Sequence, residues 1–202
     1  FNTTDKCLQI FQNNFWSACL NSSCGFLFKD LRDGNIYQTI QIGSQCWMAE
    51  NLNYASVNSW CYDNNSNNCN TYGRLYTWDV TTGGTSSASN PSGIKGVCPL
   101  GWHVPSDAEW QQLEIYLGMN PAVANSTGWR GTNQGDQRKS TTLWVVLCNA
   151  TNLRGFTAHP GGARNASGTF VNIRGYGPWW SATEDGSTAW RRNLYYNNAT
   201  VG

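Results

Sequence analysis

Eight cysteines and two histidines have the most chemical scope in this 202-residue chain. The cysteines stand at Cys7, Cys19, Cys24, Cys46, Cys61, Cys69, Cys98 and Cys148. Zinc sites use close Cys pairs of the C-x2-C kind or Cys/His clusters, and this spacing offers neither. An even count at irregular intervals instead reads as a disulfide framework formed in an oxidising compartment. Two short loops invite local clips, Cys61–Cys69 around "CYDNNSNNC" and Cys19–Cys24 around "CLNSSC". His103 and His159 have no metal-ligand spacing. The first reads as a hydrogen-bonded core histidine beside Trp102, the second as a turn residue before Pro160-Gly161-Gly162. Asp107 and Glu109 could be taken for a carboxylate pair, but helix capping accounts for both. The "DLRDGN" stretch offers Asp30, Asp33 and Asn35 to calcium. A dedicated calcium loop has more acidic ligands at stricter spacing, so a plain turn is expected and no metal or cofactor is assigned.

Exposed aromatic rings stack on sugars, and Trp179, Trp190 and Tyr195 are the candidates for that role. Asn-x-Ser/Thr sequons begin at Asn2, Asn21, Asn64, Asn125, Asn149, Asn165 and Asn198. In a chain so rich in Asn, Ser and Thr some arise by chance, and a sequon only permits glycosylation.

Charged residues make up 12% and the formal net charge is +1. Nucleic acid needs a basic footprint and is excluded as a partner, and no polybasic run suggests anionic lipid. The longest apolar run, Leu143 to Cys148, is far short of the ~20 residues of a membrane span. The chain begins with Phe1, which suggests a processed or excerpted sequence. A secreted or cell-surface protein is expected.

These residues must be positioned by a framework of short elements. One helix is plain: "PSDAEWQQLEIYLG" opens with Ser106 as N-cap and Glu109 three residues on, a capping box. Trp110, Leu113 and Leu117 then form one apolar stripe, with Gln111 and Gln112 expected in solvent. Gly118 ends the helix and Pro121 blocks its continuation. Residues 81–93 have nothing apolar to bury and read as an exposed loop. After residue 150 the chain alternates turn signals with aromatic strands, ending in a strand over Ala189 to Tyr196 and a turn at Asn197-Asn198. The class expected is α+β: small antiparallel sheets, one or two helices and long disulfide-clipped loops.

Five stretches in this order resemble the Fibrobacter succinogenes major paralogous domain family. They are "DLRDGNIYQTIQIGSQCWMAENLNY", "CYDNNSNNCNTYGRLYTW", "CPLGWHVPSDAEWQQL", "GFTAHPGGARNASGTF" and "GYGPWWSATEDGSTAWRRNLYYNN". The resemblance implies a secreted bacterial protein with a C-type lectin-like fold of small twisted sheets beside a central helix. It divides the chain into an extension, 1–24, and a domain, 25–202. Family members continue past the "YYNN" turn into a final strand bearing a Cys, whose natural partner is the equivalent of Cys98. With that strand absent here, the resemblance makes Cys7 the replacement partner of Cys98 and leaves Cys46 for Cys148.

Three functions follow as expectations. The first is a non-enzymatic structural subunit that polymerises with itself. The strand "KCLQIF" (Cys7, Leu8, Ile10, Phe11) would then complete a neighbour, the alternatives being that it folds back on its own domain or that the sequence is cut. The second is a monomeric lectin-like module that takes glycans as partners, although the Glu-Pro-Asn and Trp-Asn-Asp pieces of calcium-dependent lectins are lacking. An enzyme like the formylglycine-generating group, whose "GWHVPSDAEW" counterpart is similar, ranks last because no reactive Cys pair is recognisable.

Overall fold

The computed structural model describes residues 24–146 and 148–202, together with the backbone at 11–12 and 15–16. The expected donor residues Cys7, Leu8 and Ile10 lie outside it, as do Cys19 and the sequons at Asn2 and Asn21. Phe11–Gln12 (β1) pairs antiparallel with Phe15–Trp16 (β2), so Phe11 stands opposite Trp16.

The described chain is α+β. Its strands form six antiparallel pairs. Phe28–Lys29 (β3) pairs with Ile36–Tyr37 (β4) across the Asp30–Gly34 turn. That turn is closed by its own side chains. Buried Asp30 accepts from the Arg32 guanidinium at 2.6 and 2.9 Å, and Asp33 accepts from the Asn35 amide at 2.9 Å. Thr39–Ile42 (β5) pairs with Gln45–Met48 (β6), and Ser59–Trp60 (β7) with Leu75–Tyr76 (β8). Ser66–Tyr72 (α1) lies between β7 and β8, and Trp78–Thr82 (α2) follows β8. Ala163–Arg164 (β9) pairs with Phe170–Val171 (β10), and the long hairpin Tyr176–Asp185 (β11) with Thr188–Tyr195 (β12) closes the order.

The capped helix forms as Asp107–Tyr116 (α3). Both bonds of its capping box are made: Glu109 N–H to Ser106 Oγ at 3.2 Å and Ser106 N–H to Glu109 Oε2 at 2.9 Å. Trp110, Leu113 and Leu117 are buried at 3%, 0% and 6% exposure. They pack with Ile42, Trp144, Phe156 and Leu194 into one core, each such side chain contributing about 1.5–3 kcal/mol. Gln111 and Gln112 are only half-exposed, because their amides are held by Asp107 and by Ser44. Pro121 does more than block α3. It is the first residue of a further short helix, Pro121–Ala124 (α4), capped by Asn120.

The core also encloses charge that the apolar pattern conceals. Glu114, one residue beyond Leu113, is fully buried and accepts from Arg130 Nη2 and Arg192 Nε, both at 2.8 Å. Arg138 Nη1 lies 3.7 Å from the same carboxylate, and its guanidinium carbon is 5.9 Å from the Trp110 ring centre.

The disulfide pattern corrects part of the expectation. Cys61 is bonded to Cys69, closing the "CYDNNSNNC" loop. Cys24, however, is bonded to Cys46. The Cys19–Cys24 and Cys46–Cys148 pairings therefore do not form. Thr39 is the cause. Its hydroxyl accepts from Gly25 N–H and donates to Phe26 O, which lays the segment after Cys24 beside the β5–β6 hairpin that carries Cys46. Among the described residues Cys98 and Cys148 carry free thiols, and the expected Cys7–Cys98 bond rests on Cys7, which lies outside them.

Candidate functional site

A groove of about 1090 Å³ lies between β6, the β7–β8 pair, the loop before α3 and the β11–β12 hairpin. Its chemistry is set by six half-buried tryptophans: Trp47, Trp60, Trp78, Trp102, Trp179 and Trp180. Four have their indole N–H fixed by the surrounding fold. Trp47 donates to Gln45 Oε1, Trp78 to Ser181 O, Trp179 to Asn51 Oδ1 and Trp180 to Tyr76 O, at 2.8 to 3.3 Å. Anchoring by the polar edge leaves the ring faces as rigid apolar walls.

Asn51 is the hub of this wall. Its amide donates to Tyr72 O at 2.8 Å and to His159 O at 2.9 Å while its oxygen holds Trp179. Gly73, at the C-cap of α1 with a positive φ of 76°, allows that approach, since a Cβ there would sit 2.6 Å from the Asn51 side chain. Nothing in the sequence pattern marks Asn51, and its partners are up to 128 residues away.

Two histidines face the groove. His103 is exposed rather than part of the core, because the Glu109 carboxylate draws it to the mouth of the groove, Nε2 to Oε1 at 2.6 Å. That hydrogen bond raises the His103 pKa despite partial burial. Burial pushes the Glu109 carboxyl up, but His103 and the N–H groups of Ser106 and Ser92 outweigh it and hold the group below its ordinary range. His159 is half-buried with Nδ1 unpartnered, and burial lowers its pKa. The Cys98 thiol, also on the groove wall, is pushed up to about 12 by burial and stays protonated at neutral pH.

The proposed sugar-stacking residues do not form one platform. Trp179 lines the large groove. Tyr195 stands on the opposite face of the hairpin, since Trp179 lies across from Arg192 and Tyr195 across from Tyr176. It stacks there with Tyr176 and, edge-on, with Trp129. Trp190 belongs to a second concavity of about 290 Å³, shared with Trp129, Ala189, Arg191, Asn193 and Gly202.

That smaller concavity runs along an open strand edge. Asn193 and Gly202 exchange both backbone hydrogen bonds, at 2.8 and 3.0 Å, so Gly202 pairs with the outer edge of β12 at that one position. By the alternation of an antiparallel ladder, Arg191 and Ala189 point their N–H and C=O groups the same way. Among the described residues these groups have no backbone partner. The outer edge of β11 is covered: Gly162 N–H bonds Tyr176 O, and Ala182 bonds Pro105 O and Ser87 N–H.

Of the sequons, Asn64, Asn125, Asn149 and Asn165 are exposed. Asn198 is half-buried, its side-chain oxygen holding Thr200 N–H and hydroxyl. No helix among the described residues is long and apolar enough to cross a membrane.

No curated protein and no solved structure matches the chain. The family model of the Fibrobacter succinogenes major domain matches residues 40–200, most of the sequence, and the chain belongs to that family.

Proposed function

We propose that the chain is a secreted, non-enzymatic structural subunit on a C-type lectin-like frame, which associates with copies of itself by strand addition to β12. The observation that carries this reading is the contrast between the two edges of the β11–β12 hairpin. One edge is covered. The other is paired at Asn193 and, among the described residues, has no backbone partner at Arg191 and Ala189, with a furrow alongside. Unpaired edge groups template another strand. A strand from residues 7–11 of a neighbour is the proposed occupant, and its head-to-tail geometry propagates into a filament. Two disulfides in the domain favour an oxidising, extracellular setting. The non-enzymatic part is supported by the engagement of Glu109 in helix capping and by the protonated state of Cys98.

Size by light scattering and negative-stain microscopy tests the assembly. Ala189→Pro removes an outward N–H without touching a bond to β11, so it should give monomers of near-normal thermal stability. Filaments persisting in Ala189→Pro, or after deletion of residues 1–24, would place the contact elsewhere.

A second reading, carbohydrate binding, has its own observation: a groove walled by six tryptophan rings, four of them anchored by their indole N–H, is a sugar-stacking surface.

A further inference from the structure

The large groove has an electrostatic asymmetry. Arg74, Arg164 and Arg191 all line it, and none of them makes an ion pair among the described residues, whereas Arg32, Arg130, Arg138 and Arg192 each have a carboxylate. The carboxylates that do line the groove are already engaged. Glu109 holds His103 and two backbone N–H groups, and Glu50 accepts from Gln38 N–H at 3.2 Å.

Two of these guanidiniums lie towards the Trp60 end of the groove, Arg164 against the ring itself and Arg74 beside the neighbouring Cys61. Arg164 lies over the Trp60 ring, 4.3 Å from guanidinium carbon to ring centre. Arg74 precedes Leu75, the cross-strand partner of Trp60, and its Nη1 lies 3.5 Å from Cys61 Sγ. The Trp60 indole N–H makes no hydrogen bond among the described residues. This end of the groove therefore combines an apolar ring, an available donor and two forked cations. Arginine forks match carboxylates in geometry as well as charge.

Resting on the reading of the groove as a sugar site, we infer that its ligand is an acidic oligosaccharide, a chain of pyranose rings bearing carboxylates. Ring faces lie against the anchored indoles, and a carboxylate lies between Arg74 and Arg164 beside Trp60. The volume is at the upper end of ligand pockets, about 300–1,000 Å³, which suits several linked rings.

The experiment is calorimetry on the intact chain, with tryptophan fluorescence as a second signal. The probes are a tetragalacturonate, a neutral tetrasaccharide and a hexaglutamate peptide. The expected result is binding of the tetragalacturonate about tenfold or more tighter than the neutral sugar, weakening as salt rises, with no binding of the peptide. Arg164→Gln, at an exposed position, should fold normally and lose about tenfold in affinity for the uronate while leaving the neutral sugar unchanged. Equal binding of both sugars with Arg164→Gln silent would overturn the acidic ligand and leave the sugar site standing. Binding of the peptide as tightly as the uronate would show charge alone at work and overturn it too. No response to either sugar would remove the sugar reading itself.

Discussion

Glu114 and Arg192 meet in the interior, Nε to Oε1 at 2.8 Å, with both side chains almost wholly excluded from solvent. Arg192 also reaches back to Asp107 Oδ1 at 2.5 Å, which ties β12 to both ends of α3. Three guanidiniums, from Arg130, Arg138 and Arg192, thus face two carboxylates. Burial pushes the Arg138 guanidinium down to about 10. In Glu114→Gln the size is kept and the central counter-charge is lost, leaving buried cations uncompensated. The expected cost is about 3–5 kcal/mol in urea unfolding. A loss under about 1 kcal/mol would mean that water or a shift of Asp107 satisfies the arginines.

The His103–Glu109 pair predicts a pH window. The folded pKa of His103 is raised above 6.5, so its contribution is complete below pH 6.5 and is lost as pH rises through the folded value. That of Glu109 is lowered below 4.5, so its contribution is complete above pH 4.5 and is lost as pH falls through the folded value. The pair therefore stabilises most between pH 4.5 and 6.5. His159 has the opposite sign. Its pKa is lowered, and protonation in acid opposes the fold. Thermal midpoints measured across pH separate the two. The penalty of His103→Gln should shrink from pH 5.5 towards pH 8, and His159→Gln should gain in relative stability towards pH 5. A flat difference for His103→Gln would show that the short contact contributes nothing in solution.

Leu113→Ala should cost about 2–5 kcal/mol, as expected for a leucine with no solvent exposure in the middle of the core. A cost below about half a kcal/mol would contradict the packing of α3. This helix was legible in the sequence because its signals are local: the cap Ser106, Glu109 three residues on, and an apolar stripe at helical spacing. The Cys61–Cys69 clip was legible for the same reason. Asn51 and Glu114 were not. Each is a polar residue whose role comes from partners brought near only by folding, Trp179 for one and Arg192 for the other. Glu114 did carry a faint signal, since it sits next to Leu113 and four residues after Trp110, close to the buried stripe.

Cys24–Cys46 was illegible for the same physical reason, and it yields the sharpest chemical test. The bond depends on a hydroxyl contact, Thr39 to Gly25 and Phe26, that no spacing rule reveals. It closes a separation of 22 residues, against 8 for Cys61–Cys69. In the chain-entropy account the longer loop restricts the unfolded state more, so replacing Cys24 and Cys46 together by Ser should cost about 3 kcal/mol or somewhat more. The Cys61/Cys69 double replacement should cost less, about 2–3 kcal/mol. Non-reducing peptide mapping should join the Cys24 and Cys46 peptides, and denaturation without reductant should leave Cys98 and Cys148 open to alkylation. Before denaturation both thiols should react slowly, because burial raises each pKa and keeps the nucleophilic thiolate scarce. A map that joins Cys24 to Cys19, or Cys98 to Cys7, would overturn this arrangement. The second of those bonds would also place the N-terminal strand beside the loop that leads into α3, and so relocate the contact proposed for assembly.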